Sequence, residues 1–197
     1  MRFTFLSALF LSTSFAFAQT SLEKINLEHG TYTVGFRHYT AIDSSRTYSK
    51  YYEFTNKKVA RPVPVSLWYP VDRRDKLTIP LKVMDYFEIL KEEEEWSHLP
   101  NDQILNWFYY ANNPENQKHL LEQTSAYADL DFVPDQYPIV IYAPSYQASS
   151  IENFALCEYL ASHGFVVIAG PSRGTENRWF SQNNAKEMER KPEMWNF

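Results

Sequence analysis

Two serines stand where a hydroxyl would attack a carbonyl. Ser172 lies in Gly170-Pro171-Ser172-Arg173-Gly174, the single place where the chain satisfies G-x-S-x-G. That spacing belongs to a nucleophile elbow, in which small flanking residues let a serine stand on a tight strand-to-helix turn. Ser145 lies in Pro144-Ser145-Tyr146-Gln147-Ala148, between an apolar run and a helix-forming segment. Neither pattern is complete. "GPSRGTENRWFSQNNA" continues as a polar loop where an elbow enters a helix at once, and P-S-Y-Q-A lacks the elbow's glycines. Spacing assigns no histidine and acid to either serine, so Ser145 and Ser172 are nucleophile candidates by position alone.

The 144–148 loop suits another task as well. Amides that leave the C-terminal end of a strand and open a helix point outward, and the helix dipole adds positive charge there. Such a place stabilises the oxyanion that develops in acyl transfer, where one lost donor costs about 3 kcal/mol. Phosphate would be held in the same way, but neither G-x-G-x-x-G nor a P-loop occurs. A nucleotide is therefore disfavoured, and no cofactor is expected. Nor is a metal: His29, His38, His98, His119 and His163 show no ligand-like pairing such as H-x-x-x-H. Cys157, the sole cysteine, sits in the apolar pattern of a helix and reads as a small hydrophobe. His163, at the end of the same helix, reads as a packing and capping residue.

The element that positions the loop is legible. Ile139 to Ala143 is a short apolar run, as expected of a strand buried on both faces in a parallel sheet. Ser149 followed by Glu152 matches a capping box, which predicts a helix from Ser149 or Ser150. Phe154, Leu156, Cys157, Leu160 and Ala161 supply its buried side, Gly164 its left-handed stop, and "FVVIAG" the next buried strand. Strand, helix and strand in this order predict a right-handed βαβ unit.

Upstream, Tyr32, Val34, Phe36 and His38 alternate with Thr31, Thr33, Gly35 and Arg37, the period of a strand. "SSRTYSKYYEFTNKK" reads as a polar connection. In "RPVPVSLWYP", Val63, Val65 and Leu67 share a face, and Pro64, which has no N–H, asks for an edge or a non-bonded position. Residues from about 80 to 130 read as a helical insertion. An amphipathic helix starts near Pro80 and two further helical segments follow, with Asp102 and Asn113 as caps and Pro114 at a first helical position. Trp107, Phe108, Tyr109 and Tyr110 either line an apolar pocket or pack the insertion onto the sheet.

The chain of 197 residues is 44% hydrophobic, which suits one globular domain. Its net charge of −5 and the absence of a Lys/Arg cluster argue against nucleic acid or an anionic membrane surface. The run Glu92 to Glu95 reads as a solvated helix face. Residues 1–18 are a separate object: Arg2, an apolar run from Phe3, then Ala16-Phe17-Ala18. This is the pattern of a cleavable export signal, cut after Ala18. The run is too short for a good membrane span, so the exported chain is expected to keep no transmembrane segment. With no cysteine at Gln19, lipoprotein processing is not expected.

"RPVPVSLWYP", "YPIVIYAP" and "CEYLASHGFVVIAGPSRGT" together resemble the N-terminal half of exported α/β-hydrolases of the dienelactone hydrolase and platelet-activating-factor acetylhydrolase type. The resemblance covers most of residues 30 to 180 apart from the insertion. It implies an α/β fold with a mainly parallel sheet and a carboxylic-ester hydrolase that acts on a small-molecule ester. The usual loop of these proteins has a His-Gly pair before an apolar residue whose N–H holds the oxyanion. Pro144-Ser145-Tyr146 stands here, so the resemblance implies the Tyr146 amide as donor. Asp43-Ser44-Ser45-Arg46 is similar to an acidic-basic motif near these proteins' N-terminal strands and reads as a local ion pair that shapes a turn. In this fold the Ser, Asp/Glu and His of the triad all follow the βαβ unit. The apolar periodicity fades after Trp179. The expectation is therefore a domain of residues 19–197 that is incomplete, lacks its triad and is inactive as it stands. The alternative is a secreted, non-catalytic binding domain that uses the aromatic-rich insertion.

Overall fold

A computed structural model describes residues 21–48, 59–71, 79–93, 100–107, 112–132, 135–146 and 148–172. Residues 1–20, residues 108–111 and everything after Ser172 lie outside the described residues. In chain order the elements are α1 (Ser21–Ile25), β1 (Thr33–Tyr48), β2 (Val59–Val71), α2 (Val83–Glu93), a 3-10 turn (Asn101–Gln103), α3 (Ile104–Trp107), α4 (Pro114–Leu120), β3 (Ala126–Ala128), β4 (Ile139–Tyr142), α5 (Phe154–Ser162) and β5 (Val166–Ala169). The five strands make one sheet in the order β3-β1-β2-β5-β4.

The fold is α/β, and the described sheet is evenly mixed where a mainly parallel one was expected. β1 with β2 and β2 with β5 run antiparallel. β1 with β3 and β4 with β5 run parallel. The long β1–β2 ribbon explains the difference. Consecutive strands can pair antiparallel without a crossover, and β1 continues to Tyr48, through the first third of what read as a polar connection. Pro64 pairs with Thr40 on the β1 side, while the β5 ladder starts only at Ser66. The missing N–H therefore faces no partner in β5, which is the non-bonded position that proline requires. The deep face of β2 is Ser66 and Trp68; Val63, Val65 and Leu67 are only half-buried.

The βαβ unit is present, with β4 and β5 aligned from Ile139↔Val166 to Tyr142↔Ala169. Helix α5 ends as predicted. Gly164 has φ +92°, its N–H donates to Ala161 O, and Phe165 N–H reaches back to Leu160 O. These are the two bonds of a Schellman stop. The start differs: α5 begins at Phe154 with Asn153 at the N-cap, after a turn. No capping box forms, because Glu152 turns its carboxylate to the Ser145 amide instead. Leu156 is exposed, and Glu158 and Ser162 take the buried positions beside Cys157 and Ala161. β4 is not buried on both faces. It is the outer strand on its side among the described residues, with Ile139 64% and Ile141 81% exposed.

The insertion is closed at its base and is not wholly helical. Leu81 N–H donates to Ala126 O at 2.8 Å, and Thr124 N–H to Leu81 O at 2.7 Å. Asn113 caps α4 through Asn116 N–H, with Pro114 next in line. Asp102 caps nothing, since it lies inside the 3-10 turn that Pro100 precedes. The segment after α4 returns to the sheet as β3, where Ala126 to Ala128 pair with Val34 to Phe36. A ladder with β1 overrides the helical tendency of an alanine-rich stretch.

On one face of the sheet, Val34, Phe36, Trp68, Val167 and Ala169 pack against α2 and α5. Tyr86 of α2 sits at the centre, stacked on Phe154 and edge-on to Phe36. Its hydroxyl accepts from Trp68 Nε1 at 2.9 Å and donates to Glu158 Oε1 at 2.7 Å. The other Glu158 oxygen accepts from Ser125 N–H at 3.0 Å. A buried carboxylate is tolerated when its lone pairs are used in this way. On the opposite face, the Tyr69 ring lies over Gly35, where a Cβ would come within 2.3 Å of it. Tyr69 donates to Leu130 O at 2.6 Å, which Arg37 also bonds.

Candidate functional site: the loop after β4

Residues 144–150 leave the C-terminal end of β4 and lead toward α5, and side chains from elsewhere fix them. Ser145 N–H donates to Glu152 Oε2 at 2.8 Å, and Tyr142 Oη donates to the same oxygen at 3.0 Å. Burial alone would raise the Glu152 carboxyl, but bonds from the Ser145 amide and hydroxyl and from Tyr142 outweigh it and hold the group below its usual range. Ala148 N–H is shared between Ser145 O and Ser172 Oγ, both at 2.9 Å. Ser172 N–H donates to Ala148 O at 3.0 Å, and the Ser172 hydroxyl donates to Ser145 O. Strand, loop and the segment after β5 are thus tied together.

Two described amides stay out of this network, those of buried Ser149 and exposed Tyr146. Tyr146 N–H donates to no described residue, and Tyr146 is 73% exposed. The amides on either side that are described, Ser145 and Ala148, are both occupied. The loop therefore carries, at Tyr146, an N–H with no partner among the described residues, on a backbone fixed at Ser145 and Ala148.

Ser145, Tyr146 and Ser172 come together here, but no histidine joins them. Ser172 gives its proton to a carbonyl, and Ser145 sits against Glu152. Neither pairs with a histidine among the described residues. His163 is the C-cap of α5, about 14 Å away along the helix. Its Nδ1 donates to Tyr159 O at 2.8 Å and its ring packs on Tyr159. Cys157 is buried, and burial, helped by Glu158, pushes its thiol up to about 12. Among the described residues no group of three or more His, Cys, Asp or Glu is placed to hold a metal, and no helix is long and apolar enough to cross a membrane. Asp43 shapes the chain locally through an Asx-type bond within a strand. It lies within β1 at a register shift, where its Oδ1 accepts from the amide and hydroxyl of Ser45. The side chains of Arg46 and Trp107, and all of Phe108 to Tyr110, lie outside the described residues.

Sequence reasoning missed the braces. Glu152 was read as a cap, and Ser172 as a possible nucleophile. Glu93 was read as part of a solvated run, yet it accepts from Ser150 N–H at 3.2 Å. The only sequence signal was the polarity of Glu152 and Ser172 close to a loop that must be held.

The family described as platelet-activating factor acetylhydrolase, isoform II, matches residues 17–195. The chain belongs to that family. Among solved structures, a ferulic acid esterase from Streptomyces cinnamoneus is similar to it at 18% identity and a TM-score of 0.45. The match covers 84% of this chain and 47% of that one, so the chain spans about half the esterase's length. No curated protein matches. Two motifs of this acetylhydrolase-family chain now have physical reasons. Trp68 and Tyr69 of "LWYP" alternate across β2 and anchor both faces of the sheet. "LASHGFVV" encodes the Schellman stop and the strand it releases.

Proposed function

We propose that this chain carries the oxyanion loop of an exported carboxylic-ester hydrolase of the serine type. Membership of the acetylhydrolase family supports the class. The single observation that carries the assignment is the Tyr146 amide, which has no partner among the described residues and belongs to an exposed residue between the bonded amides of Ser145 and Ala148. In this reading a serine attacks the carbonyl carbon of a small-molecule ester, and Tyr146 N–H donates to the oxygen that becomes negative. The serine, its acid and its histidine are to be sought outside the described residues. Reading the gene beyond codon 197 is the direct check: a further G-x-S-x-G followed by Asp and His is expected.

In the protein expressed from that full reading frame, p-nitrophenyl acetate is the substrate to use. Tyr146→Pro removes the N–H and lowers kcat by about 100- to 1000-fold. Tyr146→Phe keeps the amide and leaves kcat near that of the parent. Full activity in the proline variant would end the donor role; a parent that hydrolyses no ester would end the esterase reading. Export rests on the pattern of residues 1–18. N-terminal sequencing of the secreted or periplasmic protein should begin at Gln19, and a retained Met1 would refute it.

A further inference from the structure

His38, Ser66, Ser150 and Glu93 come from β1, β2, the turn before α5 and α2, and they form one continuous chain of hydrogen bonds. His38 Nδ1 is 2.9 Å from Ser66 Oγ, and Ser66 Oγ is 2.7 Å from Ser150 Oγ. Ser150 Oγ donates to Glu93 Oε1, and its amide reaches Oε2. Both serines are fully buried. The far end of the chain is unpaired: His38 Nε2 is a buried atom with no hydrogen-bond partner among the described residues.

Proton counting fixes the direction. An ionised carboxylate only accepts, and a hydroxyl has one proton to give. Ser150 gives its proton to Glu93, so it must accept from Ser66. Ser66 then has no proton left for the ring and must accept from His38 Nδ1–H. A neutral imidazole that is protonated at Nδ1 carries its lone pair on Nε2. We propose that these four residues are a one-way proton relay whose output is a basic His38 Nε2, aimed at an O–H donor of the water or alcohol class.

The relay balances. The donor's proton passes to Nε2, the Nδ1 proton to Ser66 Oγ, the Ser66 proton to Ser150 Oγ, and the Ser150 proton to Glu93. One proton enters, one ends on the carboxylate, and both hydroxyls are restored. The imidazole stays neutral throughout. That suits a ring which burial holds below its ordinary pKa of 6.5, with Glu92 pulling it partly back up. None of this depends on the esterase reading, since the four residues touch neither Tyr146 nor Ser172.

The test is the protonation state of each ring nitrogen, read by long-range 1H–15N spectra of the full chain labelled with 15N-histidine. At neutral pH, His38 should show a protonated Nδ1 and a bare Nε2. In Ser150→Ala, Ser66 loses its acceptor and turns its proton to Nδ1, so the ring should switch to Nε2–H. Ser150→Thr keeps the hydroxyl and should keep the parent pattern. On acidification Nε2 should take a proton while Nδ1 stays protonated. An Nε2–H ring in the parent overturns the relay, and that reading needs no variant to fold. An unchanged ring in folded Ser150→Ala, or an Nε2 that takes no proton before the fold is lost, overturns it equally.

Discussion

Tyr86→Phe should destabilise the protein by about 2–4 kcal/mol, although it removes one oxygen atom and leaves the ring stacking in place. Two losses combine. The Trp68 indole N–H, fully buried, is left without its acceptor, and the Glu158 carboxylate loses its Tyr86 donor. An unsatisfied buried donor costs about 1–3 kcal/mol and a bond to a charged group is worth about 1.5–3. The urea midpoint should fall with an unchanged slope. Trp68→Phe in the same background should cost much less than in the parent, because its N–H is already unpartnered. The penalty also has a pH sign. Burial raises the Glu158 carboxyl above 4.5, so its contribution is fully present below that value and lost as pH rises through the folded pKa. The Tyr86 hydroxyl supports the ionised form. The gap between parent and variant should therefore widen from acid toward neutral pH. A midpoint that hardly moves, or a gap that widens toward acid, would show that the hydroxyl does not join α2, β2 and α5.

Gly30→Ala is the second large effect, expected at about 3 kcal/mol. A Cβ there would sit 2.2 Å from Ser162 O, 2.6 Å from its carbonyl carbon and 2.9 Å from His163 N. All three are backbone atoms of the α5 terminus, which the Schellman bonds hold in place. The chain crosses here because Gly30 N–H donates to Ser162 Oγ at 2.9 Å and Tyr32 N–H to Ser162 O at 3.1 Å. The added methyl must break that crossing. Hydrogen exchange at the Tyr32 amide should accelerate along with the loss of stability. Unchanged protection would mean that the backbone relaxes at little cost.

The parts of the fold legible in the sequence are those whose cause is local. Gly164 after His163 stops a helix wherever it occurs, Asn113-Pro114 starts one, and the apolar runs of β4 and β5 need no distant partner to declare themselves. The parts missed depend on residues far apart in the chain. Ala126 to Ala128 become a strand only because Val34 to Phe36 offer a ladder. Glu158 is buried because Tyr86, Thr124 and Ser125 converge on it, and no spacing within α5 announces that. Ser66 faces His38 only once the β1–β2 register is fixed. Of the site, the loop and its serines were visible. Which groups brace the loop, and that Tyr146 N–H has no described partner, was not, since those bonds join residues 7 to 57 positions apart.

The exposed rim at β4 has a consequence for the life of the polypeptide rather than for its chemistry. Among the described residues, Ile139 and Ile141 are exposed on an outer strand whose far edge pairs with no other strand. Where nothing covers it, such an edge is a template for any extended chain. A cell that makes this protein must see the rim covered soon after synthesis, or lose the molecule to aggregates and to the proteases that clear them. How long each molecule survives is thus decided at a strand of which only Val140 and Tyr142 pack against the core.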